Sequence, residues 1–321
     1  MRTRTKVWLI IAATLVLIGC IAFGSAMSML NWDFTKLSTT KYESNSYEIS
    51  DNYKNILIIT DTSDVVFIPS KSLTTSVDCY EQENTKHTVT VNDNTLVIKM
   101  VDTRKWYEYI GINFGTPKIT VSIPQEEYNT LSVKSSTGDV EIPKDFKFES
   151  IDISVNTGKV TNHASASEIL KIKTSTGSIR VENTSVGTLD LSVSTGKVTV
   201  SDVTSKGDVS VSVSTGKTYI TDTKCKSVIS NGDTGGISLD NVIAAEKFSI
   251  ERSTGDVKFN NSDATEIYVK TDTGDVTGNL LTDKVFIAQT DTGKVDVPKT
   301  VIGGKCEIST DTGNIMISIG Q

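Results

Sequence analysis

The sequence predicts an all-β protein: a single-stranded parallel β-solenoid (β-helix) with coils of 19–20 residues, preceded by one N-terminal transmembrane helix. Three observations predict it. The dipeptide Thr-Gly recurs with its glycine at Gly138, Gly158, Gly177, Gly196, Gly216, Gly235, Gly255, Gly274, Gly293 and Gly313, so successive glycines stand 19 or 20 residues apart. Such a period marks an architecture in which one supersecondary unit stacks on the next. On both sides of each glycine apolar residues alternate with polar ones, as in strands with one buried face. Finally, Arg2, Arg4 and Lys6 precede an uncharged, mostly apolar run from Val7 to Leu30, long enough to cross a bilayer core of about 30 Å.

Taken in chain order, residues 1–6 form a cytoplasmic basic segment and residues 7–30 a transmembrane signal anchor. Trp8 and Trp32 bracket the run where interfacial aromatics belong, and the basic flank places the N-terminus inside and everything after Trp32 outside. A cleaved signal peptide is the competing reading, and Leu17-Ile18-Gly19-Cys20 fits a lipobox, although the residues after Cys20 stay apolar. Residues 31–50 read as a juxtamembrane linker, and 51–130 as degenerate N-terminal coils with a cap. ITDTSDVVFIP (59–69) reproduces the corner there with Ser63 in the glycine slot, and RKWYEYIGINFG (104–115) interrupts. Residues 131–321 hold the regular solenoid of ten Thr-Gly coils.

Within those coils the residue seven before each repeat glycine is apolar throughout, from Leu131 and Ile151 to Phe286 and Cys306. A hairpin array would share this alternation, but tight hairpins favour Asn-Gly or Asp-Gly, whereas Thr-Gly is invariant here. The glycine therefore reads as a structural corner, needing a backbone conformation that β-branched residues resist.

The STGDV and DTGDV corners, the juxtamembrane NWDFTKLSTTKYE and the RKWYEYIG segment together resemble a bacterial family of β-strand repeat proteins, a domain of unknown function labelled "putative adhesin". The resemblance runs from the anchor to Gln321. It implies a membrane-anchored repeat protein of the cell envelope, found largely in Gram-positive bacteria and sometimes tied to envelope-stress responses, and it brings no catalytic residue.

The net charge of −7 includes the basic N-terminus, so the remainder is more acidic still, which repels phosphate backbones and argues against nucleic acid. Four scattered cysteines, Cys20, Cys79, Cys225 and Cys306, read as isolated thiols, and His87 and His163 as surface residues. No GxSxG, HExxH, Walker or GxGxxG element is present, no cofactor is implied, and the uniform coils leave no wall for a cleft, so the protein reads as not an enzyme.

Three candidate sites remain. Asp272, Asp291 and Asp311 each stand two before a corner glycine, where they read as solvent-screened turn residues or as weak candidates for a cation. Trp106, Tyr107, Tyr109 and Phe114 form either a contact surface or a hydrophobic lid over the first coil. Met316, in the last coil NIMISIGQ, points outward from a tip whose strands would offer unpaired backbone to a partner or a second copy. The expected function is a non-catalytic, adhesin-like or scaffold protein of the envelope, attached to the membrane through residues 7–30 and contacting envelope glycan or a membrane-protein partner. The alternatives are a regulatory subunit of an envelope-stress response and, more remotely, a glycan-active β-helix enzyme.

Overall fold

The computed structural model describes residues 3–38, 40–109 and 115–320. The apolar run folds as helix α1 (Thr3–Met29). Side chains such as Trp8, Leu15 and Val16 are exposed on it, and it is long and apolar enough to cross a membrane. A helix apolar on all sides needs surroundings as apolar as itself. It stops where Asn31 and Trp32 adopt positive φ, with the Trp32 N–H donating to the Met27 carbonyl at 2.8 Å.

The strands, in chain order, are β1 (Tyr42–Ile49), β2 (Asn55–Ile59), β3 (Asp64–Pro69), β4 (Thr75–Gln82), β5 (Thr85–Asn92), β6 (Thr95–Asp102), β7 (Lys118–Ile123), β8 (Glu127–Thr137), β9 (Val140–Ile142), β10 (Lys147–Asn162), β11 (Ser165–Ser205), β12 (Val209–Thr234), β13 (Ile237–Thr254), β14 (Val257–Thr273), β15 (Val276–Leu280), β16 (Lys284–Thr292), β17 (Val295–Asp296), β18 (Gly304–Thr312) and β19 (Ile315–Ile319). From β8 to β15 they wind as stacked parallel coils in register, with Leu189 opposite Val209, Gly196 opposite Gly216 and Ile237 opposite Val257. The fold is a β-solenoid. Inward residues at equivalent places, such as Leu131, Ile151, Leu170, Leu189, Val209, Val228 and Phe248, are buried in one continuous core.

Two columns turn the coil. At the first, Gly196 and Gly216 hold φ of +153° and +147°. A Cβ on Gly196 would lie 1.6 Å from the carbonyl oxygen of Gly177 in the coil below, so backbone packs directly on backbone there. The second column, which the sequence reading did not single out, is Asn183, Asp202, Asp222, Asn241 and Asn261, with φ between +46° and +54°. Asn and Asp tolerate this left-handed conformation, and here they also bond along the stack, Asn241 Nδ2 donating to Asp222 Oδ1 at 2.5 Å. Asn241→Val is expected to lower unfolding free energy by about 1–2 kcal/mol and Asn241→Gly by less than about 0.5 kcal/mol, measured by urea titration. Equal losses would place the cost in the side-chain bond rather than in the backbone.

Stacking order departs from chain order at both ends. At the N-terminal end β2 lies between β6 and β8, with Ile56 opposite Leu96 on one side and Leu131 on the other. At the C-terminal end β18 lies between β14 and β16, Cys306 facing Ile267 and Phe286, while β19 lies between β15 and β17. The reason lies in which coils can serve two neighbours. β17 has only two residues, because Pro298 follows closely and lacks the N–H that a ladder needs. By contrast the coil of β18 and β19 supplies Cys306, Ile308, Ile315 and Ile317, all buried. The more apolar and continuous coil takes the inner place. The NIMISIG segment is consequently an interior layer and not the tip expected from the sequence.

The two rod ends differ. At the N-terminal end antiparallel strands cover the coils: β4 pairs with β7 and β1, and β5 folds back on β6 through a turn with Asp93 and Asn94 at positive φ. Strand β1 occupies part of the stretch read as a linker, because its Tyr47 and Ile49 pack against the core. At the other end, among the described residues, β16 and β17 have a ladder partner on one side only. Phe286 and Ala288 are half-buried there, and Val285, Ile287, Val295, Val301 and Ile302 are exposed.

Candidate functional site

The aromatic segment forms a short 3₁₀ turn, Trp106–Tyr109, with no buried residue. Trp106 is 78% exposed and Tyr109 59%, so this turn is not a lid; the antiparallel strands cover that end instead. Its shape is set by Asp102, whose carboxylate accepts from Arg104 Nη2 at 2.6 Å and from the Tyr109 hydroxyl at 3.0 Å, while the Arg104 guanidinium lies 4.4 Å from the Tyr109 ring centre. The guanidinium beside it holds the Asp102 carboxyl well below the ordinary carboxylate range. Phe114 and Ile110 lie outside the described residues.

Met316 is half-exposed on the outer surface of β19, opposite Thr277 and Asp296 in the flanking coils. The unpaired edge at this end belongs to β16 and β17 instead. Asp272, Asp311 and Asp291 follow one another in that spatial order, since Thr273 faces Thr312 and Thr312 faces Thr292. All three are exposed. Their carboxylates do not converge: among the described residues one group of three His, Cys, Asp or Glu donors has its ligand atoms within 4.8 Å of one another, and it lies elsewhere.

That group is Cys79, Glu81 and His87, all buried under the antiparallel strands. His87 is thus not the surface residue that its isolated position in the sequence suggested. Its Nδ1 and its backbone N–H each lie 2.7 Å from Glu81 Oε2, and its Nε2 is 3.0 Å from Thr60 Oγ1. Glu81 Oε1 accepts from Asn45 Nδ2 at 2.8 Å, and the Tyr47 hydroxyl donates to the His87 carbonyl at 2.9 Å. The signal was present as Cys79-x-Glu81, two inward residues on one strand, but a sequence reading cannot see that β5 returns His87 to the same interior. Burial pushes the thiols of Cys79, Cys225 and Cys306 up to about 12, so each is an inert thiol in the metal-free protein.

Near the open end an apolar cleft of about 570 Å³ is lined by Ile243, Ala244, Ala264, Leu281 and Ile302. Beside it the Lys284 ammonium, almost fully buried, lies 2.7 Å from Asp263 Oδ1, while Asp263 Oδ2 is buried without a hydrogen-bond partner. In register Lys284 stands opposite Gly304 of β18, and its side chain reaches Asp263 one coil further on. Lys284 Nζ also donates to Thr282 Oγ1, which lines the same cleft.

Fold and surface define the class: an all-β solenoid of uniform parallel coils joined to an N-terminal helix able to span a membrane. The chain matches the model of the Toastrack DUF4097 family over residues 53–212 and again over 204–321, and it belongs to that family. No curated protein matches it. A solved structure described as a "putative lipid binding protein" from Parabacteroides distasonis is 18% identical, with 75% of this chain and 97% of that one covered and a TM-score of 0.50. A "putative adhesin" from Bacteroides fragilis is 17% identical over 87% of this chain and 97% of that one, with a TM-score of 0.43. Another from Parabacteroides distasonis is 14% identical over 85% and 98%, with a TM-score of 0.45. At these identities the likeness is one of fold.

Proposed function

We propose that this chain is a non-catalytic, adhesin-like stalk of the bacterial cell envelope, held in the membrane by α1 with the solenoid outside. One observation carries the reading: the two rod ends are unlike. The chain passes from α1 through a short segment directly into β1, a strand of the covered end. The opposite end, more than ten layers away and so about 50 Å further at about 4.8 Å per layer, leaves β16 unpaired on one side with Val285 and Ile287 exposed on it. An edge strand of that kind takes up another polypeptide by strand addition. Between the ends many of the side chains that face outward are polar, such as Ser194, Lys197 and Lys217. This makes the shaft a spacer.

The test uses the full chain in its native membranes with a photoreactive residue at Ile287 or, as a shaft control, at Lys197. A discrete adduct from position 287 alone, lost when Val285→Lys is added, supports the reading, and its mass separates a second copy from another envelope protein. Adducts from both positions or from neither would remove the open end from the function. Release of reducing sugar from wall glycan by the purified chain would overturn the non-catalytic assignment. The topology is tested separately: a membrane-impermeant thiol reagent should label Ser253→Cys on intact cells.

A further inference from the structure

We propose that Cys79, Glu81 and His87 form a binding site for one zinc ion inside the covered end of the rod. Cys79 and Glu81 are two residues apart on β4 and so face the same way, and the tight connection from Gln82 to Thr85 brings β5 back with His87. A thiol, a carboxylate and an imidazole thereby meet with one donor atom of each within 4.8 Å of the other two, all of them buried. Around a tetrahedral zinc with bonds of about 2.0–2.3 Å, donor atoms stand about 3.3–3.8 Å apart. The group is therefore close to assembled, and the Glu81–His87 contact of 2.7 Å needs to open by only about half an ångström.

Three further contacts orient the donors as partners of metal ligands do. Thr60 holds the far nitrogen of the imidazole, Asn45 the second oxygen of Glu81, and Tyr47 the backbone of His87. The charge also suits the place. A thiolate and a carboxylate against a doubly charged cation, with a neutral imidazole, leave the loaded site neutral, which the interior of a small β cap tolerates. Sulfur and nitrogen donors select zinc over calcium or magnesium, which require oxygen. On loading, metal–sulfur, metal–oxygen and metal–nitrogen bonds form and two protons are displaced. The thiol proton goes to solvent. The proton between Nδ1 and Oε2 goes to solvent or to Nε2, from which the imidazole donates to Thr60. The ion would tie β4 and β5 together at the level of Thr60, where the antiparallel strands meet the first coils.

The experiment takes the full-length chain in detergent, stripped with a chelator, with Cys20, Cys225 and Cys306 replaced by serine so that Cys79 is the sole thiol. Titration with Co²⁺ is expected to saturate at one equivalent, with a thiolate-to-cobalt charge-transfer band in the near ultraviolet that stoichiometric Zn²⁺ abolishes. His87→Gln should weaken binding at least 100-fold. A folded sole-thiol chain without the band, or an unchanged band in His87→Gln, overturns the site. Should the triple-serine chain not fold, calorimetric titration of the unaltered protein with Zn²⁺ decides: saturation at one equivalent that Cys79→Ser removes supports the site, and no heat up to millimolar zinc overturns it.

Discussion

Gly196→Val is expected to destabilise the protein by about 3 kcal/mol or more, whereas Lys197→Ala, one residue away, is expected to change stability by less than about 0.5 kcal/mol. Two independent costs meet at Gly196. Its φ of +153° is a conformation that a β-branched residue adopts only under strain, and the new Cβ would occupy space 1.6 Å from the Gly177 carbonyl oxygen. Nothing flexible can move aside, because the obstacle is the backbone of the coil below, itself held in register along the whole ladder. Relief requires widening the spacing between two coils, which lengthens hydrogen bonds on both sides of the corner. Lys197 shares the turn but points to solvent. Urea titrations of the two variants and the parent check this, and comparable losses at both positions would show that the corner is not where the column is tight.

The second large effect is expected at Lys284. Lys284→Met should cost about 3 kcal/mol by leaving the Asp263 carboxylate buried without its cation, while Lys284→Met combined with Asp263→Leu should recover most of that loss. Desolvation explains the asymmetry: removing one ion of a buried pair strands the other, but removing both dispenses with the need to desolvate either. Because the pair is shielded from solvent, the single variant's loss should hardly change with added salt. Denaturant titrations of the three chains at low and high salt give the answer. A double variant no better than Lys284→Met would mean that Lys284 acts through its hydrogen bond to Thr282 and its packing, not through its charge.

Much of this architecture was legible because a solenoid writes one instruction many times. Thr-Gly at constant spacing gave the first corner, and the apolar residues before it gave the core column from Leu131 to Phe248. The second corner carried its own signal in Asn183, Asp202, Asp222, Asn241 and Asn261, with the same period, but it is made by either of two residue types in variable company and is easily taken for surface. Arg252 shows a different limit. Alternation puts it in an inward slot, and it is indeed buried, because Gly232 opposite leaves room and Ser230 Oγ accepts from its Nη2 at 2.7 Å. Burial lowers its guanidinium to about 10. The stacking order at the ends was not legible at all, since periodicity states what a coil looks like and not which coil it lies upon. For the same reason Cys79, Glu81 and His87, drawn from strands that belong to no repeat, read as scattered residues.

The interleaving of β18 and β19 bears on how the chain matures. A ribosome makes the coil of β16 and β17 before that of β18 and β19, yet the earlier one rests on the later one. Residues 284–297 have no native seat until residues 304–319 have been made and have settled on β14 and β15. An ordinary solenoid grows by adding each new coil to the last, so a chain halted partway is merely shorter. Here a chain halted after residue 303 has a coil with no native seat and an uncovered layer beside it, so it differs from the finished rod in more than length.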